Sequence, residues 1–312
     1  MNFPGKSILI TGGTGSLGQA LTRKLLEFPI RKLVIFSRDE LKQHSMALAY
    51  TDERLRFFLG DVRDLQRLRR AFEDIDIVIH AAALKQVPAG EYQPFESVKT
   101  NILGAQNVIE AALDTDVERV MGVSSDKSCA PATLYGATKL VMEKLFIGAQ
   151  NYVKASRSIR FACVRYGNVF GSRGSVFRVF ESRLKRGKSL PVRSREATRF
   201  WLTIDEAVNF VLDCVRVMEP RCVYVPKLCG STVLALAEAM GGSVEFSCLT
   251  AGEKLHESLI CADERWDEVG GRYVLSAEGA NNRFNYTSEN ARPIIDFSAL
   301  FHSVGFAPSA RK

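Results

Sequence analysis

Within one short stretch, Ser124-Ser125-Asp126-Lys127 followed by Tyr135-Gly-Ala-Thr-Lys139, the chain carries two acid/base pairs. Tyr135 and Lys139 stand one helical turn apart, so on a helix both side chains project from one face toward a shared ligand. A phenol ordinarily ionises near pH ~10, and an ammonium a few ångströms away favours its ionised form. With Ser125 orienting the alcohol, such a pair can oxidise a sugar hydroxyl. Asp126 and Lys127 form a second acid/base pair, which can eliminate water from the resulting ketone. An amine acting as a base needs a lowered pKa, which burial and the neighbouring Lys139 would supply. Alone, Asp-Lys reads as a solvated surface turn and Tyr-x-x-x-Lys as one face of an ordinary helix. Ser124 reads as a loop hydrogen-bonder. The surrounding elements decide between these readings.

Ser7-Ile-Leu-Ile-Thr11 reads as a short buried strand running into Gly12-Gly-Thr-Gly15-Ser-Leu-Gly18 and then an apolar-periodic helix. Strand, glycine turn and helix in that order form a dinucleotide-binding turn. Gly12 permits the tight bend, Gly15 lets backbone approach a pyrophosphate, Gly18 lets helix and strand pack closely, and the helix N-terminus faces the negative charge. The second strand, Leu33–Phe36, ends in Ser37-Arg38-Asp39. Asp39 suits a ribose 2′-hydroxyl and hence NAD; Arg38, a planar and permanently charged fork, suits a 2′-phosphate with Ser37 as an added donor. A charge-assisted hydrogen bond is worth roughly 1.5–3 kcal/mol, so NADP is the expected cofactor. Gly60-Asp61-Val62 after the third strand suits the adenine, and His80-Ala-Ala-Ala83 the wall of the cofactor trench. His80 and Asn101 are expected to flank that trench, His80 equally as a satisfied core histidine.

These residues resemble the inverting UDP-N-acetylglucosamine 4,6-dehydratases of the extended short-chain dehydrogenase/reductase superfamily. The matching strings are Phe36-Ser-Arg-Asp-Glu-Leu-Lys-Gln43, His80-Ala-Ala-Ala-Leu-Lys-Gln-Val-Pro88, Ser124–Lys127 with Leu134–Lys139, Arg165–Val176, Thr198-Arg-Phe-Trp201 and Gly252-Glu-Lys-Leu-His-Glu257. The resemblance runs from about residue 7 to 264. It implies transient oxidation at C4 by bound NADP with Tyr135 as the base, Lys127 as the base at C5, Asp126 as the acid at the C6 hydroxyl, and return of hydride to C6 with inversion at C5. Ser125 and Lys139 complete the catalytic set. The related retaining dehydratases carry Asp-Glu where this chain has Asp126-Lys127, and simple epimerases lack the pair. Cofactor contacts carried over are Gly12, Gly13, Thr14, Gly15, Ser16, Leu17, Gly18, Ser37, Arg38, Lys42, Asp61, Val62, Ala81, Ala83, Lys85, Tyr135 and Lys139. Substrate contacts carried over are Lys85, Asn168, Arg173, Arg199 and Glu253, and the product class is a precursor of bacterial-type amino-sugar glycans. Two departures stand out. Thr250-Ala251 replaces an Arg-Pro, removing a cation for the diphosphate, and Ala130-Pro131 replaces an Asn-Pro.

The alternatives are a UDP-sugar 4-epimerase, which needs Tyr135 and Lys139 without Asp126-Lys127, and a non-catalytic NADP-binding protein. The 312 residues are 46% hydrophobic and 25% charged, enough for a substantial core. With no secretion signal and no apolar run long enough to span a bilayer, a cytoplasmic protein without membrane partners is expected. The net charge of +7 includes Arg183-Leu-Lys-Arg-Gly-Lys188, Arg193, Arg195 and Arg199. These lack interleaved stacking aromatics, which argues for anionic small ligands or a solvated face and against nucleic acid. The seven cysteines show neither Cys-x-x-Cys nor zinc spacing. They are expected as reduced core residues, with Cys129 alone in the reactive loop and no metal. A homo-oligomer is expected.

Alternating β and α signals up to about Arg165 predict a doubly wound α/β Rossmann-type parallel sheet with a smaller C-terminal substrate lobe. Residues 1–170 would bind NADP, with 203–226 completing that domain; 171–202 and 227–312 would form the lobe. Long helices are expected over Glu96–Asp114 and Leu134–Lys154, a helix after Thr203 capped by Asp205, and a strand at Cys222–Pro226 returning to the sheet.

Overall fold

The structure, a computed structural model, describes residues 3–281 and 283–308. Its first six strands, β1 (Ser7–Thr11), β2 (Lys32–Ser37), β3 (Leu55–Leu59), β4 (Ile77–His80), β5 (Arg119–Val123) and β6 (Arg160–Val164), are all parallel in the order β3-β2-β1-β4-β5-β6. Continuous apolar runs such as Ser7-Ile-Leu-Ile-Thr11 are buried at every position because helices cover both sheet faces. The order reverses between β1 and β4, where the C-terminal strand ends open a crevice for a ligand.

The expected returning strand forms at Val223–Pro226, parallel to β6. The sheet does not stop there. Trp266–Val269 and Arg272–Leu275 form a hairpin that adds two antiparallel strands, giving nine in all. These residues fall in the stretch expected to belong wholly to the lobe. The hairpin covers the backbone groups that Val223–Pro226 would otherwise leave at an open edge.

The other unit contains a four-stranded sheet of Asn168–Val169, Thr198–Leu202, Cys229–Thr232 and Arg292–Pro293. Its core is aromatic, with Phe170, Phe177, Phe180, Trp201, Phe297 and Phe301 buried together. The helix after Thr203 starts at Ile204. Thr203, not Asp205, is its cap: Thr203 Oγ1 accepts from the Glu206 amide at 3.1 Å while Glu206 accepts from the Thr203 amide at 2.7 Å, a capping box.

Both long helices form with modified ends. Pro94–Ser97 and Gly104–Asp114 are joined by a π-helical stretch, Val98–Leu103, that turns Thr100 and Asn101 inward. The second runs Leu134–Ala149 and closes in a 3₁₀ turn, Gln150–Tyr152. Among the described residues no helix is long and apolar enough to cross a membrane.

Candidate active site

A cavity of about 720 Å³ lies along the C-terminal ends of β1, β2, β4 and β5 and beneath the Asn168–Ser175 segment. One end is made largely of backbone. Gly12 has φ +67°, and a Cβ there would sit 2.8 Å from the Ala82 backbone, so only glycine lets the turn reach the β4 loop. The helix Ser16–Leu25 begins immediately afterwards with Gly15 as its cap, leaving its first amides facing the cavity. Thr14, Ser16, Leu17, Ala81 and Ala83 line this part. His80 does not: it is buried, its Nδ1 lies 2.8 Å from Thr11 Oγ1, and burial followed by the charge of Lys139 pulls its pKa down to about 3. It is a neutral core histidine. Asn101 also stays behind the wall, bonded to the Leu84 amide (2.8 Å), the Leu84 carbonyl (2.9 Å) and Thr138 Oγ1 (3.0 Å). It braces the β4 loop against the Leu134–Ala149 helix.

At the outer end of this cradle, Ser37, Arg38, Asp39, Lys42, Asp61 and Val62 converge. The Asp39 carboxylate caps the next helix, accepting from the Lys42 amide at 2.9 Å, and it pairs with the Lys42 ammonium. Arg38 is half-exposed, with only a 3.6 Å approach to Asp61. Asp61 itself is held by Arg63 at 2.7 Å. Asp39 is therefore committed to local structure while Arg38 reaches only Asp61, at 3.6 Å, and the cradle fits a dinucleotide.

The acid/base residues occupy the other end. Ser124 and Asp126 continue the pairing of the sheet: the Ser124 amide donates to Val164 O at 2.7 Å and the Asp126 amide to Tyr166 O at 3.0 Å. The chain then makes a 3₁₀ turn over Asp126–Ser128. The Leu134–Ala149 helix packs on that turn so closely that a Cβ at Gly136 would lie 2.2 Å from Lys127 O. Tyr135, Lys139, Ser125, Asp126 and Lys127 all line the one cavity. Ser125 Oγ donates to Asp126 Oδ1 at 2.8 Å.

Lys127 Nζ bridges two carboxylates, Asp126 Oδ1 at 3.1 Å and Glu257 Oε1 at 3.0 Å. Glu257 escaped the sequence reading, although it closes the Gly252–Glu257 string. Only its 130-residue separation from Lys127, read from the numbering, hid the pair.

The charges differ from the sequence expectation. Burial lowers the pKa of Lys127, but Asp126 and Glu257 outweigh it and hold the ammonium above its ordinary value. Lys139 is not among the groups that chiefly set it. Lys139 instead turns beneath β5, donating to Val123 O at 2.7 Å, and burial brings its own pKa down to about 8. Tyr135 is pushed up by burial; the cation that opposes this most is Lys127, not Lys139. Asp126 is pushed up as well, by burial first, with Lys127 opposing.

Of the residues expected on the substrate, Lys85, Asn168 and Arg173 line the cavity. Arg173 reaches across to the glycine turn, its guanidinium on Thr14 O and its amide 3.2 Å from Ser16 Oγ, which joins the lobe to the cradle. Arg199 and Glu253 take other partners. Arg199 is buried, donating to Thr198 O at 2.7 Å and approaching Glu253 at 3.4 Å and Glu257 at 4.0 Å. Glu253 is paired with Arg193 at 2.6 Å. The guanidinium of Arg193 also bonds Thr250, so a cation stands beside the position where the expected arginine is missing.

Cys129, expected as a lone reduced thiol, is disulfide-bonded to Cys261 across 132 residues. Sequence spacing carries no signal for such a pair. The bond ties the end of the Asp126–Ser128 turn to the segment just after the strand Ser258–Ile260. Nearby, buried Arg165 clamps Glu143 of the Leu134–Ala149 helix (2.7 Å) and Glu264 (2.8 Å), and Ser128 Oγ donates to Glu143 at 2.7 Å, so the turn and the segment after Ile260 are linked a second time through Glu143.

The family described as polysaccharide biosynthesis protein matches residues 8–276. A protein of Campylobacter jejuni subsp. jejuni serotype O:23/36 (strain 81-176), named UDP-N-acetylglucosamine 4,6-dehydratase (inverting), is 46% identical over 266 residues, which are 84% of this chain and 79% of that protein. The chain belongs to this dehydratase family. A Rickettsia prowazekii (strain Madrid E) protein named UDP-glucose 4-epimerase is 38% identical over 94% of the chain and 90% of its own length. Among solved structures, Pen from Bacillus thuringiensis superposes with a TM-score of 0.90 at 32% identity, covering 98% of this chain and 99% of that one. Dehydratase-named and epimerase-named proteins are thus both similar to this chain.

Proposed function

We propose that this protein dehydrates UDP-N-acetylglucosamine across C4 to C6 with inversion at C5, giving a UDP-4-keto-6-deoxy-L-hexosamine for polysaccharide precursor synthesis. The observation that carries the reading is the Asp126-Lys127 pair within the same cavity as Tyr135. A 4-epimerase has no use for that second pair.

The glycine turn, Ala81, Ala83 and the Ser37–Lys42 corner would hold a nicotinamide dinucleotide, and the half-exposed Arg38 fork beside a committed Asp39 favours NADP over NAD. That cofactor, when bound, accepts hydride from C4 and returns it to C6. Ser125 orients the C4 hydroxyl and Tyr135 takes its proton. The ketone so formed acidifies the C5 hydrogen, which Lys127 removes while Asp126 protonates the departing C6 hydroxyl, and C5 is reprotonated from the opposite face. Burial pushes the Asp126 pKa up against the opposing charge of Lys127, which favours the protonated form this task needs. Lys85, Asn168 and Arg173 approach the sugar and diphosphate, and the lobe of 171–202 and 227–312, without its hairpin, carries the uridine. Arg199 and Glu253 shape that side by holding the loop.

The protein works in the cytoplasm. It acts as a homo-oligomer, a reading supported by Tyr92 and Phe95, which are 84% and 77% exposed on adjoining short helices.

Incubation with UDP-N-acetylglucosamine tests the activity. The expected product has lost one water, roughly 18 mass units by its chemistry, and shows the L-arabino configuration by NMR. Return of a sugar of unchanged mass would favour the epimerase.

A further inference from the structure

The proposed roles require Asp126 protonated and Lys127 neutral at the same moment, yet the resting amine is an ammonium held between two carboxyl groups. Its proton must leave before it can act as a base. Asp126 is a poor destination, because its own proton is needed for the departing hydroxyl and its Oδ1 already accepts from Ser125.

Glu257 is placed to take that proton. Its side chain is 5% exposed, and Oε1 stands 3.0 Å from Lys127 Nζ. Oε2 is buried with no hydrogen-bond partner among the described residues, the same condition as Asp126 Oδ2. A buried carboxylate with one oxygen unpaired is costly, and protonation relieves that cost. Facing Glu257 are Lys127 and Asp126 from the loop after β5, Arg199 from the Thr198–Leu202 strand, and Lys254 from its own segment. Its backbone is fixed by Ser288, whose Oγ accepts from the Glu257 amide at 3.0 Å and whose amide donates to Glu257 O at 2.8 Å. The disulfide and the Arg165 clamp lock the two segments in register.

We propose that Glu257 is a positioning residue that acts through Lys127, receiving the ammonium proton so that the amine is neutral when it meets the C5 hydrogen. The transfer is balanced: one N–H bond of Lys127 breaks, one O–H bond of Glu257 forms, and an ion pair becomes a neutral pair. In the open cleft the ion pair is favoured, since burial raises the pKa of Glu257 but Lys127 and Arg199 more than offset it. The Lys127 side chain is still 28% exposed. A substrate seated over it removes that remaining water, and desolvation disfavours the charged pair relative to the neutral one.

This inference rests on the dehydratase reading. The test compares Glu257→Gln, Glu257→Asp and the unaltered protein, each with retained cofactor and KM checked, across a pH series. Glu257→Gln keeps the shape but accepts no proton. Its kcat for dehydration should fall about 100-fold at neutral pH and recover about tenfold per pH unit as solvent takes over deprotonation of Lys127, whereas the unaltered protein shows a flat profile there. Glu257→Asp should keep the flat profile at a reduced rate. A counter-ion without this role predicts the opposite, because removing the carboxylate lowers the Lys127 pKa and leaves Glu257→Gln as active as the unaltered protein or more so. That result, a loss independent of pH, or a loss confined to KM overturns the proposal. If Glu257→Gln does not fold, Glu257→Asp decides: a reduced rate with a flat profile supports the proposal, and an unchanged rate overturns it. An unaltered protein that forms no dehydrated product overturns the dehydratase reading itself.

Discussion

The two ends of the cavity are built by different means. The phosphate-facing part of the cradle is contiguous backbone, one strand, one glycine turn and the first turn of one helix within residues 7–25, with Ser37–Lys42 and Asp61–Val62 added at its outer end. The acid/base end is assembled from side chains at 125, 126, 127, 135 and 139, with Glu257 and Arg199 packed behind Lys127, brought together by a disulfide, a buried arginine and a parallel sheet. Backbone recognition of a phosphate depends on local geometry and tolerates variation elsewhere. A buried charge cluster has no local determinant, and each pKa in it is set by residues distant in sequence. The two lysines show the consequence. Lys139, with no carboxylate in ion-pair contact among the described residues, falls to about 8, while Lys127, between two carboxyl groups, is raised.

The difference can be broken most severely at its charged end. Lys127→Ala should keep the fold and the bound cofactor while losing dehydration by at least about 100-fold, the low end of general acid/base contributions. Near-normal turnover would make Lys127 a solvated loop residue and remove the main support for the dehydratase reading. At the cradle, Arg38→Ala should narrow the preference for NADP over NAD by about tenfold to a hundredfold, the discrimination expected of one charge-assisted hydrogen bond. Equal affinity for both cofactors in the unaltered protein, measured by equilibrium titration, would contradict it.

The smallest effect lies between the two ends. Ala130 has φ +43° in an exposed position. Alanine bears a steric cost in the left-handed region that asparagine bears less. Ala130→Asn should therefore stabilise the protein by about 1 kcal/mol, read as a higher denaturant midpoint with unchanged slope; a lower midpoint would show that the turn does not strain alanine.

How far the sequence could be read follows the same division. Strand Ser7–Thr11, the glycine turn, the Val223–Pro226 strand and the Leu134 helix start were legible because their signals are periodic and local. The Trp266–Leu275 hairpin was not, since its assignment to the main sheet depends on which edge it meets. Asp205 looked like a cap because it is acidic and early, but Thr203 and Glu206 satisfy each other more completely. Cys129 with Cys261, and Lys127 with Glu257, are contacts between segments more than a hundred residues apart. Composition and spacing cannot encode them, and with them goes the sign of the Lys127 pKa shift.

The central claim is that the Asp126-Lys127 end of the cavity makes this protein eliminate water and not merely exchange configuration at C4. Reaction of UDP-N-acetylglucosamine in deuterium oxide, followed by NMR, tests it most directly, because a proton removed from C5 by Lys127 exchanges with solvent before C5 is reprotonated. The account predicts a 4-keto-6-deoxy product with one solvent deuterium at C5 and a C6 methyl that received its hydride from the substrate's own C4. A sugar that retains its C6 hydroxyl and carries no deuterium at C5 would contradict it.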